Sequence, residues 1–341
     1  MISVSIIVPV YDVEEHVAGC FGSIVAQTWR GELECIFVDD CGHDDSMAVV
    51  ERLVESYDGS IKMRILHHEQ NRGLSAARNT GIRAAAGDYV FFLDSDDKIT
   101  PDCIERLAVH VERHPGVDIV QGSFNSKFGS LYKLAGKGLP EYADDFGWIR
   151  KTLLRRYVIP VMTTNMLVRR QFIVDKNLFF VEGHLYEDEI ENFLFAKHVG
   201  SMAFEMTETY NYTLNPNGIM RSVPINREAM LKEMMAHVSG PDAGLEILCL
   251  VSFFYEPFEC GDALDVLAER LRGVKAMVTL GRKYPKYPRN TVRGVWCRAC
   301  YLLLRKLLVP YWNCVAASGL SVPPPSWQTV MMNEMTCECD G

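Results

Sequence analysis

The run Tyr89-Val90-Phe91-Phe92-Leu93 is followed at once by Asp94-Ser95-Asp96-Asp97. Five apolar or aromatic residues without Gly or Pro predict a buried strand, and three carboxylates then crowd its C-terminal end. Carboxylates this close repel one another unless something neutralises them. A divalent cation carrying phosphates would do so, which points to a metal-assisted site for a diphosphate-bearing ligand.

The chain leading to this run alternates between two hydrophobic periods. Residues 3–10 predict a strand stopped by Pro9, 14–27 a helix, 32–38 a strand ending in Asp39-Asp40, 46–56 a helix, 63–67 a strand, and 75–86 a helix between Gly73 and Gly87. Strands and helices in strict alternation favour parallel pairing with helices on both faces. Sites in such sheets lie at the C-terminal strand ends, so Pro9-Val10-Tyr11-Asp12, Asp39-Asp40-Cys41-Gly42 and Asp94–Asp97 are expected at one edge. Further on, a helix from Pro101 to about His114, a strand at 118–121, a loop over 125–147, a short basic helix at 148–156 and an extended segment at 202–212 are expected, with 163–174 unassigned. A helix carries Glu187-Asp188-Glu189, and beyond about residue 226 the chain turns mainly helical, ending in a tail from 321.

A formal net charge of -9 argues against general nucleic-acid binding. The charge is uneven, since residues 270–306 hold eleven Lys or Arg and no Asp or Glu. Eleven scattered Cys do not form a disulfide framework and suggest a reducing compartment. The N-terminus reads as a first strand rather than a signal peptide, and no apolar run is long enough to span a bilayer.

Four blocks together resemble the family 2 glycosyltransferases of the GT-A fold: Ser5-Ile6-Ile7-Val8-Pro9-Val10-Tyr11, Val38-Asp39-Asp40, Asn71 through Gly81, and Gly87-Asp88-Tyr89 through Asp97. A weaker likeness extends to Tyr186-Glu187-Asp188-Glu189 and to Tyr210-Asn211-Tyr212 with Asn215-Pro216, which resemble acceptor-side segments of bacterial members that build capsule, lipopolysaccharide or other surface polysaccharides. Two positions depart from the family pattern. Asp12 stands where Asn is usual, and Cys41-Gly42-His43 where Gly-Ser-Thr is usual.

The resemblance implies an α/β fold with a Rossmann-like, mostly parallel sheet flanked by helices and a C-terminal helical extension. It implies a catalytic domain at 1–225 (nucleotide-sugar half 1–120, acceptor half 121–225), to which the residue pattern adds a helical region at 226–320 and a tail at 321–341. It implies a nucleotide-sugar donor, UDP-linked, bound by Pro9, Tyr11, Asp39, Asp40, Arg78, Asp94 and Asp96. Asp39 and Asp40 would hold base and ribose, with Asp44 retained nearby. Asp96 would ligate Mn2+ or Mg2+, while Asp94 would contact the ribose or support the metal site. Arg78 would either reach nucleotide or phosphate oxygens or pair with a local carboxylate that stabilises the fold. Asp188 would be the general base of an inverting single displacement; spacing alone does not separate it from Glu187 or Glu189. Tyr186, Asn215 and Arg221 would line the acceptor side. The acceptor would be a glycan or lipid-linked glycan, with the protein in the cytoplasm or peripheral on the inner face of the membrane.

The basic, aromatic run 292–308 suits either an anionic membrane surface or packing on protein. Cys297/Cys300 and Cys337/Cys339 lack the four ligands of a zinc site, and His67-His68 mark a strand end. Two other functions compete with this one: a non-catalytic carbohydrate-binding or assembly partner, and a sugar nucleotidyltransferase, which would need a Gly-rich phosphate loop with Lys near the first strand, absent here.

Overall fold

The computed structural model describes residues 1–125, 132–153, 162–184 and 187–213, with Ile159, Pro160, Asn215, Glu233, Met234 and His237. These belong to one compact unit, Met1–His237. Tyr186, Arg221, the two close Cys pairs at 297/300 and 337/339, the basic run 292–308 and the C-terminal regions expected from 226 lie outside the described residues.

The first half alternates as expected: β1 (Val4–Val10), α1 (Glu14–Val25), β2 (Leu33–Asp39), α2 (Ser46–Glu55), β3 (Lys62–His67), α3 (Leu74–Ala84) and β4 (Tyr89–Phe92). Then come β5 (Lys98–Ile99), α4 (Cys103–Arg113), β6 (Ile119–Asn125), β7 (Tyr142–Ala143), α5 (Phe146–Leu153), β8 (Met166–Arg169), α6 (Arg170–Lys176), α7 (Glu187–His198) and β9 (Met202–Asn211). The nine described strands form one sheet in the order β3-β2-β1-β4-β8-β6-β9-β5, with β7 pairing β9. Strands β3, β2, β1 and β4 are mutually parallel, β8 runs antiparallel to β4 and β6, and β9 is parallel to β6.

Every residue of β1 is buried, because it is covered on both faces. Val4, Ile6, Val8 and Val10 join a core with Val17, Cys20, Phe21 and Ile24 of α1 and Ile104, Leu107 and Val111 of α4. The helical residues recur at spacings of three and four, the period of one helix face. On the opposite face α3 lies so close to β1 that a Cβ at Gly81 would come 2.3 Å from Ile7 Cγ2. The run of small residues Ser75-Ala76-Ala77 in the same helix is buried.

Pro9 does not stop β1, which continues in register through Pro9↔Val38 and Val10↔Asp39. Pairing with β4 ends at Ile7↔Phe92, so on that side Pro9 has no ladder to interrupt. The segment expected as one loop over 125–147 contains β7 and the start of α5, and the unassigned 163–174 contains β8 and most of α6. The helix expected from Pro101 begins at Cys103.

The parallel half brings the ends of β1, β2 and β4 to one edge, and a buried polar clamp holds their opposite ends. Ser5 Oγ donates to Glu34 Oε1 at 2.6 Å, while Gly87 N–H donates to Ser5 Oγ at 2.9 Å and Ala86 N–H to Glu34 Oε1 at 2.6 Å. A Cβ at Gly87 would sit 2.7 Å from the Ser5 backbone nitrogen. Gly87→Ala must therefore push β4 away from β1. Its unfolding free energy, read from urea titration, is expected to fall by about 1–3 kcal/mol.

Candidate active site

Asp94 leaves β4 with its carboxylate in contact with Arg78 of α3. Arg78 is fully buried, and its fork is filled by acids from two distant segments: Nη2 donates to Asp94 Oδ1 at 2.9 Å, and Nη1 to Glu187 Oε1 at 2.8 Å and Asp188 Oδ1 at 3.1 Å. Phe180 lies under the guanidinium, 5.2 Å from carbon to ring centroid. Both Nη atoms bond carboxylates while the buried Nε has no hydrogen-bond partner among the described residues, so of the two roles expected for Arg78 the geometry shows carboxylate pairing. The partners are remote in sequence rather than local. Removing one member of such a buried set leaves charge uncompensated, at a cost of roughly 3–5 kcal/mol.

Asp188 is the more open of the two acids that α7 presents to Arg78, with 23% of its side chain exposed against 10% for Glu187. Its Oδ1 also accepts Thr163 Oγ1–H at 2.5 Å and Thr163 N–H at 3.3 Å. All three donors therefore fall on one oxygen, and Oδ2 has no donor among the described residues. Glu191, one turn further along α7, is buried with neither carboxyl oxygen hydrogen-bonded among the described residues. Burial, and then the charge of Asp188, pushes it well above the usual carboxylate range. Glu187 is raised to about 7 by burial and by Asp188, against the pull of Arg78.

The donor-side carboxylates are arranged unequally. Asp94 is raised to about 6, chiefly by burial. Asp97 is 1% exposed and raised to about 9 by burial and by Asp94 and Asp96. Its oxygens accept Tyr210 O–H at 2.8 Å and Thr213 N–H at 2.6 Å, while the same Tyr210 oxygen accepts Asp94 N–H at 3.2 Å. Asp96 is half-buried and accepts Asn215 Nδ2–H at 3.2 Å on Oδ2. Among the described residues no three His, Cys, Asp or Glu side chains converge on a common metal position.

Around the end of β2, Asp39 remains partly open at 16% side-chain exposure; Oδ1 accepts Cys41 N–H at 2.9 Å and Oδ2 lies 2.9 Å from His67 Nδ1. Asp40 differs. It is 3% exposed, and its oxygens accept Arg72 N–H at 2.9 Å and Gly73 N–H at 2.8 Å and lie 2.7 Å from His68 Nδ1. Its carboxylate ties the loop before α3 to β2. Tyr11 is exposed beside the same edge, in edge-on contact with His43, whereas Pro9 is buried in β1. Asp44 caps the approach to α2, bonded to Ser46 and to Glu14 N–H.

Tyr210, Thr163 and Glu191 are the residues to which sequence reasoning assigned no role. Tyr210 and Thr163 act through bonds to residues distant in sequence and Glu191 through its burial, and no spacing rule marks them.

Carboxyls with raised values hold protons that the unfolded chain releases above about pH 4. For Asp94, Glu187 and Asp97 this destabilises the metal-free fold as pH rises from about 4 to 9, with the change complete only above the Asp97 value. Urea midpoints in the presence of a chelator are expected to be lower at pH 9 than at pH 5.5, and Asp97→Asn to remove much of the difference.

With this geometry in place, comparison with known proteins is informative. The family model described as Glycosyl transferase family 2 matches residues 5–178, just over half of the 341-residue chain. Glycosyltransferase GlyA of Streptococcus pneumoniae serotype 4 is 40% identical over 133 residues, which is 38% of this chain and 18% of that protein. The glycosyltransferases YibD of Escherichia coli (28% identical, 64% of this chain and 63% of the relative) and EpsJ of Bacillus subtilis (30%, 63% and 62%) match over longer spans, both described as uncharacterized. The chain thus spans less than two thirds of the length of each of these relatives. Among solved structures, S. aureus TarS 1-349 in complex with UDP superposes with a TM-score of 0.58 at 21% identity, over 80% of this chain and 78% of that one. The Pyrobaculum calidifontis mannosyltransferase PcManGT, in complex with GDP-Man and Mn2+, gives 0.54 at 14% identity, over 93% and 84%. These likenesses establish the fold as the GT-A α/β fold. Four motif blocks at the strand ends, the topology that gathers them and a family match across the region that contains them lead to one assignment: the chain belongs to glycosyl transferase family 2.

Proposed function

We propose that this protein is an inverting, metal-dependent glycosyltransferase that moves a sugar from a UDP-linked donor to a hydroxyl of a glycan or lipid-linked glycan in surface polysaccharide synthesis. The observation that carries the reading is the state of Asp188. One of its oxygens is held by three protein donors while the other has none among the described residues, and it shares Arg78 with donor-side Asp94.

In this reading Asp188 Oδ2 takes the proton of the acceptor hydroxyl as its oxygen attacks the anomeric carbon. The attack comes from the face opposite the departing diphosphate, so configuration inverts. Glu187 is too enclosed for this task, with its bonded oxygen turned to Arg78. Asp39 and exposed Tyr11 hold the nucleoside end, the one by accepting N–H or O–H donors and the other by offering an aromatic face. Asn215 holds Asp96 from the acceptor side.

The residues present fit a hard divalent cation. Asp94 Oδ2 and Asp96 Oδ1 carry no hydrogen bond among the described residues, and the crowding that raises Asp94 and Asp97 is what a cation would relieve. Asp96, with Asp94, would hold Mn2+ or Mg2+, the diphosphate completing the shell; the ion would stabilise charge on the departing nucleoside diphosphate. UDP beside TarS and GDP-Man with Mn2+ beside PcManGT support a nucleotide-sugar donor and a cation of this kind. The name of TarS, a poly(ribitol-phosphate) beta-N-acetylglucosaminyltransferase of Staphylococcus aureus, supports an acceptor of the cell-surface polymer class.

Domain limits are proposed at about 225 and 320 on the sequence grounds given above. The basic run 292–308 supports a further proposal, peripheral contact with the inner membrane face where a lipid-linked acceptor would be met. No helix among the described residues is long and apolar enough to cross a membrane. Co-sedimentation with anionic vesicles, lost when the Arg and Lys of 292–308 become Gln, is the expected result.

The central test is binding of a panel of nucleoside diphosphates and nucleotide sugars, with and without Mn2+. UDP and UDP-sugars are expected to bind only with the ion, and Asp96→Ala to weaken them by about 100-fold, the loss of one charge-assisted ligand. Asp188→Asn should keep donor binding while turnover falls by about 10²–10⁴-fold. Failure of every nucleotide to bind folded wild-type protein would sink the transferase reading.

A further inference from the structure

Arg78 joins two segments that never meet along the chain. On one side is Asp94 at the end of β4; on the other, 109 and 110 residues away from Arg78, are Glu187 and Asp188 at the start of α7. A guanidinium is planar and its two Nη atoms are fixed relative to each other, so acids bonded to both are fixed relative to each other as well. Lys cannot do this, because it offers one nitrogen at the end of a flexible stem. The guanidinium is itself immobilised by Phe180 and by complete burial.

The direction of its bonds matters. Arg78 Nη1 and both donors of Thr163 converge on Asp188 Oδ1, which orients the carboxylate with Oδ2 outside this set. Thr163 is itself buried, and its hydroxyl bond to Asp188 is the shortest of the three at 2.5 Å. The arrangement holds Asp188 by one oxygen from two directions.

We propose that Arg78 is a positioning residue: it touches neither donor nor acceptor, and by bonding Asp94 and Asp188 at once it places the free oxygen of the base in register with the donor-side carboxylate. Thr163 completes the hold on Asp188 from the opposite partner. This rests on the transferase reading, in which Asp188 is the base.

The test is a set of cycles on the full chain. Turnover is read as UDP release, with water as acceptor, from the UDP-sugar that binds best in the panel above. UDP affinity and thermal melting are measured in parallel. Arg78→Lys is expected to lower kcat about 100-fold, the effect of a base displaced by about 1 Å, while UDP affinity and donor KM change by less than about tenfold, the part that passes through its bond to Asp94. Thr163→Val, which keeps shape and the backbone donor but loses the hydroxyl, is expected to lower kcat about tenfold with the same split. In the Asp188→Asn background neither substitution should lower kcat further, because what they position is gone.

A loss of UDP affinity of tenfold or more in folded Arg78→Lys would mean that Arg78 serves the nucleotide, and losses that multiply in the double variants would mean that it acts apart from Asp188. Either overturns the proposal. If Arg78→Lys does not fold, Arg78→Gln with Glu187→Gln removes one buried charge of each sign and enters the same cycle, with Glu187→Gln as its reference. Wild-type turnover in Asp188→Asn, with nucleotide still bound, would overturn the base assignment itself. A defect in Asp188→Asn with Arg78→Lys unchanged would overturn only the role given to Arg78.

Discussion

A guanidinium withdrawn from water must be surrounded by acceptors, and Arg78 finds them in the acids of two segments that are otherwise unconnected. Asp94, Glu187 and Asp188 bond it directly, and Glu191 lies within its electrostatic reach. One cation does not neutralise four carboxyl groups in a buried setting. The excess appears as retained protons, with Glu191 pushed far up, Glu187 raised to about 7 and Asp94 to about 6. The same pair of interactions therefore holds the sheet edge to α7 and leaves the edge short of positive charge. In the proposed reading that shortage is what the donor's cation meets, so an arrangement costly for stability becomes the condition for binding.

The loops at the ends of β1 and β2 show how the two departures from the family pattern are accommodated. Asp12 has φ of 49° and Cys41 φ of 56°, both in the left-handed region where Asn and Gly are favoured. The usual Asn and Gly at these positions are therefore explained by backbone shape. Each replacement compensates with a bond of its own: Asp12 Oδ1 accepts His43 N–H at 2.6 Å, and Cys41 S–H donates to the His68 carbonyl at 2.9 Å. Gly42 between them is fixed by close approach, since a Cβ there would lie 3.0 Å from Asp12 nitrogen. Asp40 and His68 extend this lock to the entry of α3, and His68 Nε2 reaches Thr80 Oγ1 at 2.9 Å within that helix.

Much of the architecture was legible because it is written in local periods. Strands β1, β2 and β4 are mainly apolar runs and α1 to α3 repeat apolar residues at helical spacing, and parallel order follows from their alternation. The strands that escaped, β5, β7 and β8, are two to four residues long and exist through pairing with β9, β4 or β6 rather than through a pattern of their own. Pro9 misled for a related reason: a proline ends a strand only where its missing N–H would break a ladder, and β4 stops short of it.

The candidate site divides along the same line. Residue order alone determined that Asp39, Asp94, Asp96 and Tyr11 lie at strand ends, hence at one edge of a parallel sheet, because chain direction dictates where a strand's C-terminus falls. It also determined that Glu187, Asp188 and Glu189 open a helix. Which carboxylate stays open and which is consumed was decided only by tertiary structure. Asp39 and Asp40 are adjacent and chemically identical, yet one is partly exposed and the other is filled by Arg72, Gly73 and His68. Likewise Glu187 and Asp188 are neighbours that both bond Arg78, and only the packing of α7 leaves 23% of the Asp188 side chain exposed against 10% for Glu187. Hydrogen bonds over some hundred residues depend on where elements pack, and packing distances leave no trace in local sequence.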